Sequence, residues 1–196
     1  MFEDTERQYH HGRLQIALLD AARTILDHDG VDHLTIRAVA RLAGVSHAAP
    51  ANHFSDRKAL LTALAMRNYY DLTWRVTQAI HASEDGTTDR LHGIADAFLD
   101  YALTYPHRFR LLWRGDLVNM KDPDLETTMN GLYAKLLAAT SLDPSGKTNI
   151  SRAIAFWSMV HGYVALRIDA MFTPQPDERT GEPRLTAMIN LLFAEE

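Results

Sequence analysis

Apolar residues recur at helical spacing along the whole chain. In residues 36–43, Ile36, Val39, Ala40 and Ala43 fall at i, i+3, i+4 and i+7, so one face of a helix is apolar. Similar spacing, with capping and turn residues, predicts further helices over 13–29, 55–82, 90–105, 106–113, 123–140, 148–172 and 185–193, and the small and polar residues 46–53 form one more after a turn. No segment alternates like a half-buried strand. The pattern therefore predicts nine helices and an all-α fold.

The segment 35–60 has the pattern of a helix-turn-helix. A short amphipathic helix that Thr35 can cap is followed by a turn at Gly44 and by a second, polar helix. Glycine accepts a positive φ without steric cost, and the hydroxyl of Ser46 can bind the first amides of the second helix. Such a pair places its second helix in the major groove of double-stranded DNA, although it also occurs as an ordinary helical hairpin.

The overall charge of the chain gives DNA binding no support. The formal net charge is −5, with 20 Lys and Arg against 25 Asp and Glu. Affinity would have to come from a local face, where Arg37, Arg41, Arg57 and Lys58 flank the second helix. Six of the ten histidines also lie within residues 1–58. Their protonation predicts a DNA affinity that rises between about pH 8 and about pH 6.

Composition and motifs exclude other classes. Without cysteine, the chain has neither disulfides nor thiolate metal ligands, and no metal site or cofactor is expected. No phosphate-binding glycine loop, nucleophile elbow or zinc-protease motif occurs, so we do not expect an enzyme. No window approaches about 18 uninterrupted apolar residues, and no leader pattern is found. These observations predict a cytoplasmic protein without a membrane span.

The C-terminal half is rich in large apolar and aromatic residues. Most of them are expected to pack in the core, but pockets for small molecules in helical bundles are also mainly apolar with a few polar groups. His161 is either such a polar group or a structural histidine. The expected pocket contains Phe98, Trp113, Met120, Tyr133, Trp157 and His161.

The helix predicted over 148–172 is apolar nearly all round and therefore needs two neighbours. The last helix has an apolar face as well. One solution buries the outer faces of both helices against the same helices of a second copy, which gives a four-helix dimer interface. The residues expected in this homodimer interface are Val160, Val164, Ile168, Met188 and Leu192.

Three segments resemble one family. The run LTIRAVARLAGVSHAAPANHFSDRKALL resembles the DNA-binding segment of Tet repressor (TetR) family transcription regulators in its A-G-V-S and His-Phe elements. YHHGRLQIALLDAARTILDHDG is similar to that family's first helix, and FWSMVHGYVAL resembles the Trp, His-Gly motif of one subgroup's C-terminal domain. The resemblance implies a three-helix DNA-binding domain over residues 1–57 and a helical regulatory, ligand-binding and dimerisation domain over 58–196.

The resemblance also implies which residues contact DNA. Those expected at base edges and phosphates are Ser46, His47, Ala48, Ala49, Ala51, Asn52 and His53. The amide of Asn52 suits adenine, and alanine methyl groups suit the methyl group of thymine. Those expected at phosphates are Thr35, Arg37, Arg57 and Lys58, with Arg57 standing where the family carries Lys.

The chain departs from the family pattern at two positions. Ala51 stands where most relatives carry Tyr, which should weaken binding or shift it onto Asn52 and His53. Pro50 removes an early hydrogen bond, so the recognition helix is expected to start late or bend. The resemblance implies a dimeric repressor that a small-molecule inducer releases from a palindromic operator. The alternative is a helical ligand-binding or adaptor dimer with weakened DNA binding.

Overall fold

The computed structural model describes residues 2–83, 86–140 and 149–193, with side chains from Arg13 onward. In these ranges the chain forms eight α-helices and two short 3₁₀ segments. The α-helices are α1 (Phe2–Asp29), α2 (Ile36–Leu42), α3 (Arg57–Ala82), α4 (Thr87–Thr104), α5 (Pro106–Leu112), α6 (Pro123–Thr140), α7 (Ile150–Ile168) and α8 (Arg184–Phe193). The 3₁₀ segments are Val31–His33 and Ala49–Asn52. The predicted all-α fold is confirmed.

Two predicted helix boundaries were wrong. α1 begins at Phe2 rather than near residue 13, because its first turns are polar and lack the apolar periodicity on which the prediction depended. α7 ends at Ile168 rather than near residue 172, because Ala170 adopts a left-handed φ of 55°. The amides of Ala170 and Met171 then donate to the carbonyls of Arg167 (3.2 Å) and Leu166 (2.9 Å), which is a Schellman cap.

The first of two compact units joins Met1–Asn68 with His107–Glu126. In this unit α1 packs against α2 and the 3₁₀ segment that precedes it. The buried apolar residues of the unit include Leu18, Ala22, Leu26, Leu34, Val39, Ala40, Phe54, Leu60, Leu64, Phe109 and Leu112. The helix-turn-helix segment and α5 therefore belong to one unit although they are distant in sequence.

The second unit comprises Tyr69–Pro106 and Thr127–Glu196 within the described ranges. In it α4 packs against both α7 and α8. Phe98 meets the edge of Trp157 with ring centroids 5.0 Å apart, and Phe156 meets Phe193 at 5.5 Å. The helical bundle predicted for the C-terminal half is confirmed.

Some expectations fall outside the described residues. The side chains of His10 and His11, two of the six histidines counted within residues 1–58, lie outside them. The sequence also predicts polar breaks between helices at 83–89 and 142–147; the break at 142–147 lies outside the described residues, and the break at 83–89 does so in part. The two units divide α3 after Asn68, whereas the sequence placed a domain boundary between residues 57 and 58. Among the described helices, none has the length and apolar character needed to cross a bilayer.

Candidate nucleic-acid interface

α2 begins with the predicted cap. Thr35 is extended (φ −117°, ψ 154°), and its Oγ1 accepts a hydrogen bond from the amide of Ala38 at 3.1 Å. Val39 is buried on the inner face of α2, whereas Arg37 and Arg41 are exposed. Because these two arginines are four residues apart, they lie one above the other on the outer face. The first helix of the motif thus presents two adjacent guanidinium groups to solvent.

The turn after α2 depends on Gly44. This residue has φ 69°, a conformation that side chains with a Cβ rarely adopt. The amide of Gly44 donates to the Arg41 carbonyl (3.2 Å), and the amide of Val45 donates to the Ala40 carbonyl (3.0 Å). These two bonds form a Schellman cap, so the chain reverses directly after α2 as the sequence predicted.

The recognition segment, residues 46–53, is not the α-helix that the sequence predicted. Its helical part is a single 3₁₀ turn, Ala49–Asn52, with no side-chain cap, so the expected capping role of Ser46 was wrong. Pro50 has no amide and cannot donate to an α-helical ladder that starts near Ser46. Its carbonyl instead accepts from the amides of His53 (3.0 Å) and Phe54 (2.9 Å). The segment is consequently short and tightly wound.

The short turn still displays most of the predicted contact residues. The exposed side chains are Ser46, His47, Ala48, Ala51 and Asn52, while Ala49 and His53 are half-buried. The His53 ring lies 6.4 Å from that of Phe54, which is buried. The recognition segment is therefore held to the core at its C-terminal end and offers a hydroxyl, an imidazole, methyl groups and an amide to solvent.

The cations at the start of α3 have different surroundings. Arg57 is half-buried, and its Nε donates to the carbonyl of Leu34 (2.7 Å) while its Nη2 donates to that of Val31 (2.6 Å). Lys58, the next residue, is exposed. Sequence reasoning missed the carbonyl partners of Arg57 because they are main-chain atoms 26 and 23 residues earlier, which carry no side-chain signal.

Comparison with known protein families agrees with this geometry. Residues 18–64 match the family described as "Bacterial regulatory proteins, tetR family", and residues 91–192 match "Tetracyclin repressor-like, C-terminal domain". The chain belongs to the TetR family. Its first unit therefore carries the DNA-binding helix-turn-helix of a transcription regulator, and the resemblance seen in the sequence is confirmed.

Individual TetR family relatives and solved structures support the assignment. An uncharacterized HTH-type transcriptional regulator of Mycobacterium tuberculosis is 28% identical over 167 residues, which are 80% of this chain and 75% of that protein. A protein of unknown function from Rhodococcus sp. RHA1 has a TM-score of 0.78 and 30% identity, covering 94% of this chain and 95% of that one. A TetR-family transcriptional regulator from Streptomyces coelicolor, with a TM-score of 0.63 and 22% identity, covers 93% and 96% and shares the fold.

Three of the six residues expected to form an effector pocket in this TetR family regulator lie together. Phe98, Trp157 and His161 form a cluster, with 5.0 Å between the first two ring centroids and 5.4 Å between the last two. Burial lowers the pKa of His161. Tyr133 is exposed on α6, and Trp113 and Met120 belong to the first unit. The structure therefore brings together three of the six residues, and the six-residue pocket stays a prediction.

A cleft of about 500 Å³ lies elsewhere in the second unit, at the end of α7 and the start of α8. Its lining residues are Tyr163, Met171, Phe172, Thr173, Gln175, Arg184 and Met188. Arg184, the first residue of α8, is bonded to the segment between α7 and α8. Its guanidinium donates to Asp177 Oδ2 (2.9 Å) and to the Pro176 carbonyl (3.0 Å). Sequence periodicity did not predict this cleft, because much of its wall is loop rather than helix.

The predicted dimer residues also need correction. Val160 and Val164 are 1% and 0% exposed, so they are buried by the chain itself and face its own core. Ile168 and Met188 are half-buried, and Leu192 is 59% exposed. The large apolar residues that α7 and α8 leave exposed are Ile150, Ile154, Leu166, Leu191 and Leu192. The outer face of α7 is thus rotated away from the one that the sequence suggested.

Proposed function

We propose that this regulator is a dimeric repressor that binds a palindromic operator and is released from it by a small molecule. The observation that carries the proposal is the recognition segment, where Ala48, Ala51 and Asn52 are exposed together on one short turn. Exposed Arg37 and Lys58 flank that turn on α2 and α3. A small polar surface between cations suits the base edges and phosphates of the major groove.

The side chains of the recognition segment determine which bases it contacts. Asn52 donates and accepts at once, as recognition of adenine requires, while the methyl groups of Ala48 and Ala51 contact thymine methyl groups. His47 donates to guanine or to phosphate. Ala51 ends at Cβ, where the family resemblance implies Tyr in most members, so the backbone of the segment must approach the groove closely. We therefore expect half-sites that contain A·T pairs.

Phosphate contacts come from the exposed side chains around the segment. Arg37 and Arg41 form one cationic row on α2, and Lys58 adds a further exposed cation at the start of α3. The Thr35 hydroxyl accepts from an amide and still has a hydrogen to donate to a phosphate oxygen. This local row offsets the net charge of −5 that the chain carries as a whole.

The dimer forms through the outer faces of α7 and α8. Ile154 on α7 and Leu191 and Leu192 on α8 supply exposed apolar surface. On α7, Ser158 is exposed, and a Cβ added at Gly162 would meet no atom within 4 Å, so a second helix can approach closely there. A twofold axis between two copies would relate their recognition segments in the way that the two halves of a palindromic operator are related.

The effector binds in the second unit. The cleft beside Tyr163 and Phe172 has about 500 Å³, within the range usual for small-molecule sites. Its lining is mainly apolar, with Thr173, Gln175 and Arg184 as polar residues. A ligand releases DNA only by its differential affinity for the DNA-bound and free arrangements of the dimer. Binding that leaves operator affinity unchanged would remove this part of the proposal.

DNA selection tests the function. Fragments enriched by the purified protein should contain an inverted repeat, and Asn52→Ala should weaken the selected site by about tenfold or more, which is the discrimination of one bidentate base contact. Asn130→Ala, the same substitution at an exposed asparagine of α6 that belongs neither to the recognition segment nor to the proposed dimer face, is the matched control. The alternative is an adaptor or ligand-binding dimer with weakened DNA binding, which Ala51 favours. Retention of random and selected DNA alike would support that alternative.

A further inference from the structure

We infer that Arg57 is a positioning residue that closes the helix-turn-helix segment, and that it does not contact phosphate. The inference deepens the proposed function, because it concerns how the recognition segment is held for DNA. The inference assigns different roles to the neighbouring cations Arg57 and Lys58, both of which the sequence analysis expects at phosphates. Arg57 acts within the protein, and Lys58 acts on the DNA.

The hydrogen bonds of Arg57 join the two ends of the motif. Arg57 is the first residue of α3, and its Nε donates to the carbonyl of Leu34 at 2.7 Å, directly before the cap of α2. Its Nη2 donates to the carbonyl of Val31 at 2.6 Å. The guanidinium therefore connects the start of α3 to the start of α2. Between these points lies all of residues 35–56, including the recognition segment.

The carbonyl of Leu34 depends on this donor. Leu34 is fully buried, and its carbonyl precedes the hydrogen-bond ladder of α2, whose first carbonyl is that of Thr35. The Val31 carbonyl accepts from the Leu34 amide (3.2 Å) as well as from Arg57. A main-chain carbonyl that loses its partner inside a protein is destabilising. Loss of the guanidinium would therefore loosen the entry into α2.

The position of the Arg57 charge at the start of α3 also supports a role within the protein. A cation in the first turn of α3 lies at the positive end of that helix, which is unfavourable. For Arg57, hydrogen bonds to two carbonyl oxygens offset this unfavourable interaction with the helix end. Lys58 is instead exposed to solvent. The Asp56 carboxylate, which accepts from the Ala59 amide at 2.8 Å, supplies the cap that the helix needs.

Arginine is required because the two bonds use two different nitrogens. The planar guanidinium holds Nε and Nη2 in a fixed relative orientation. The carbonyl of Leu34 accepts from Nε, and that of Val31 accepts from Nη2. Lysine has the same charge but a single flexible ammonium. Arg57→Lys therefore keeps the charge while removing the connection. A phosphate contact would survive this substitution.

The test compares Arg57→Lys and Arg57→Gln with Lys58→Gln in the full chain, using the selected DNA site at several salt concentrations. We expect Arg57→Lys to weaken binding about tenfold, a 1.4 kcal/mol effect by the usual conversion, with an unchanged slope of log K against log salt. Lys58→Gln should reduce that slope by about 0.9, the value of one phosphate contact. The inference would be overturned if Arg57→Lys bound DNA as tightly as the wild type and Arg57→Gln reduced the slope of log K against log salt by about 0.9.

Amide hydrogen exchange gives a readout that does not involve DNA. In Arg57→Lys without DNA, amides of residues 34–53 should exchange faster, while those of α7 should not change. Unchanged exchange in 34–53 would also overturn the inference. If the wild-type protein binds no DNA, the proposed function fails and the exchange result still decides the role of Arg57.

A measurement on the wild-type protein covers the case in which the variants do not fold. The Arg57 Nε–H should give a slowly exchanging NMR signal in the free protein, since it is bound to a buried carbonyl. Adding the DNA site should leave that signal in place. Fast exchange in the free protein, or a large shift on adding DNA, would contradict the role proposed for Arg57.

Discussion

Arg108 and Asp27 form a two-point ion pair inside the first unit. Nε lies 2.7 Å from Oδ1 and Nη2 lies 2.5 Å from Oδ2, and the side chains are 13% and 26% exposed. Asp27 is in the last turn of α1, where a negative charge is unfavourable, and Arg108 is in the first turn of α5. The pair therefore compensates both charges and fastens α5 to the helix before the DNA-binding motif.

Removing one partner should destabilise the first unit. We expect Arg108→Ala to lower the free energy of unfolding by about 1–3 kcal/mol, less than for a fully buried pair because both groups retain some solvent. Urea denaturation measures this change. Asp116→Ala is the control, because the Arg114–Asp116 pair is exposed and should contribute much less, even though its hydrogen bond lowers the pKa of Asp116 to about 2. Equal losses in both variants would contradict the interpretation.

Two glycines with equally open surroundings should respond in opposite directions to a methyl group. A Cβ at Gly44 or at Gly131 would meet no atom within 4 Å, but Gly44 has φ 69° and Gly131 lies within α6. Gly44→Ala should lower the free energy of unfolding by about 1–2 kcal/mol, and Gly131→Ala should raise it by up to about 1 kcal/mol. Thermal unfolding of both variants checks the signs, and stabilisation by Gly44→Ala would contradict the role of this turn.

Local signals in the sequence predicted the start of the motif correctly. Thr35 and Gly44 act through atoms within a few residues, so their cap and turn followed from residue type alone. Pro50 was recognised as disruptive because it has no amide, but the sequence did not show that only one 3₁₀ turn would form or that Pro50 would be buried, since burial is a tertiary property. Arg57 shows the limit most clearly, since its acceptors are distant carbonyls of the main chain.

The errors in the second unit have a similar cause. The helix containing Val160 is apolar on nearly every side, so periodicity did not distinguish the core face from the outer face. Burial assigns Val160 and Val164 to the core and leaves Ile154 outside.

The stability of the protein should depend on pH through His161. Burial lowers the pKa of His161 in the folded state below its ordinary value of 6.5. The unfolded chain therefore takes up a proton first as the pH falls, so stability is lost from about pH 6.5 down to the lowered folded pKa. The Tm of the wild type should fall more between about pH 7.5 and about pH 5.5 than that of His161→Gln. His47→Gln, at an exposed site, is the control, and identical profiles for wild type and His161→Gln would contradict this prediction.

The proposed dimer face makes a separate prediction. A charge at Ile154 or Leu192, both exposed on the outer faces of α7 and α8, should be buried in the dimer without a partner. The double variant Ile154→Glu, Leu192→Glu should have the mass of one chain, 22.1 kDa, in light scattering, whereas the wild type should have twice that mass. Leu103→Glu changes an exposed leucine on α4 and should remain dimeric. If Leu103→Glu were monomeric while the double variant stayed dimeric, the interface would not be formed by the outer faces of α7 and α8.

The most direct test of the account is footprinting of the dimer on its selected DNA. We predict two protected half-sites in inverted orientation, with centres separated by about 10 base pairs or a multiple of that spacing. Inverting one half-site should reduce affinity, and Asn52→Ala should weaken both halves equally. A single asymmetric footprint would contradict the claim that two recognition segments, one from each copy, bind the DNA. Affinity that does not change when one half-site is inverted would contradict it as well.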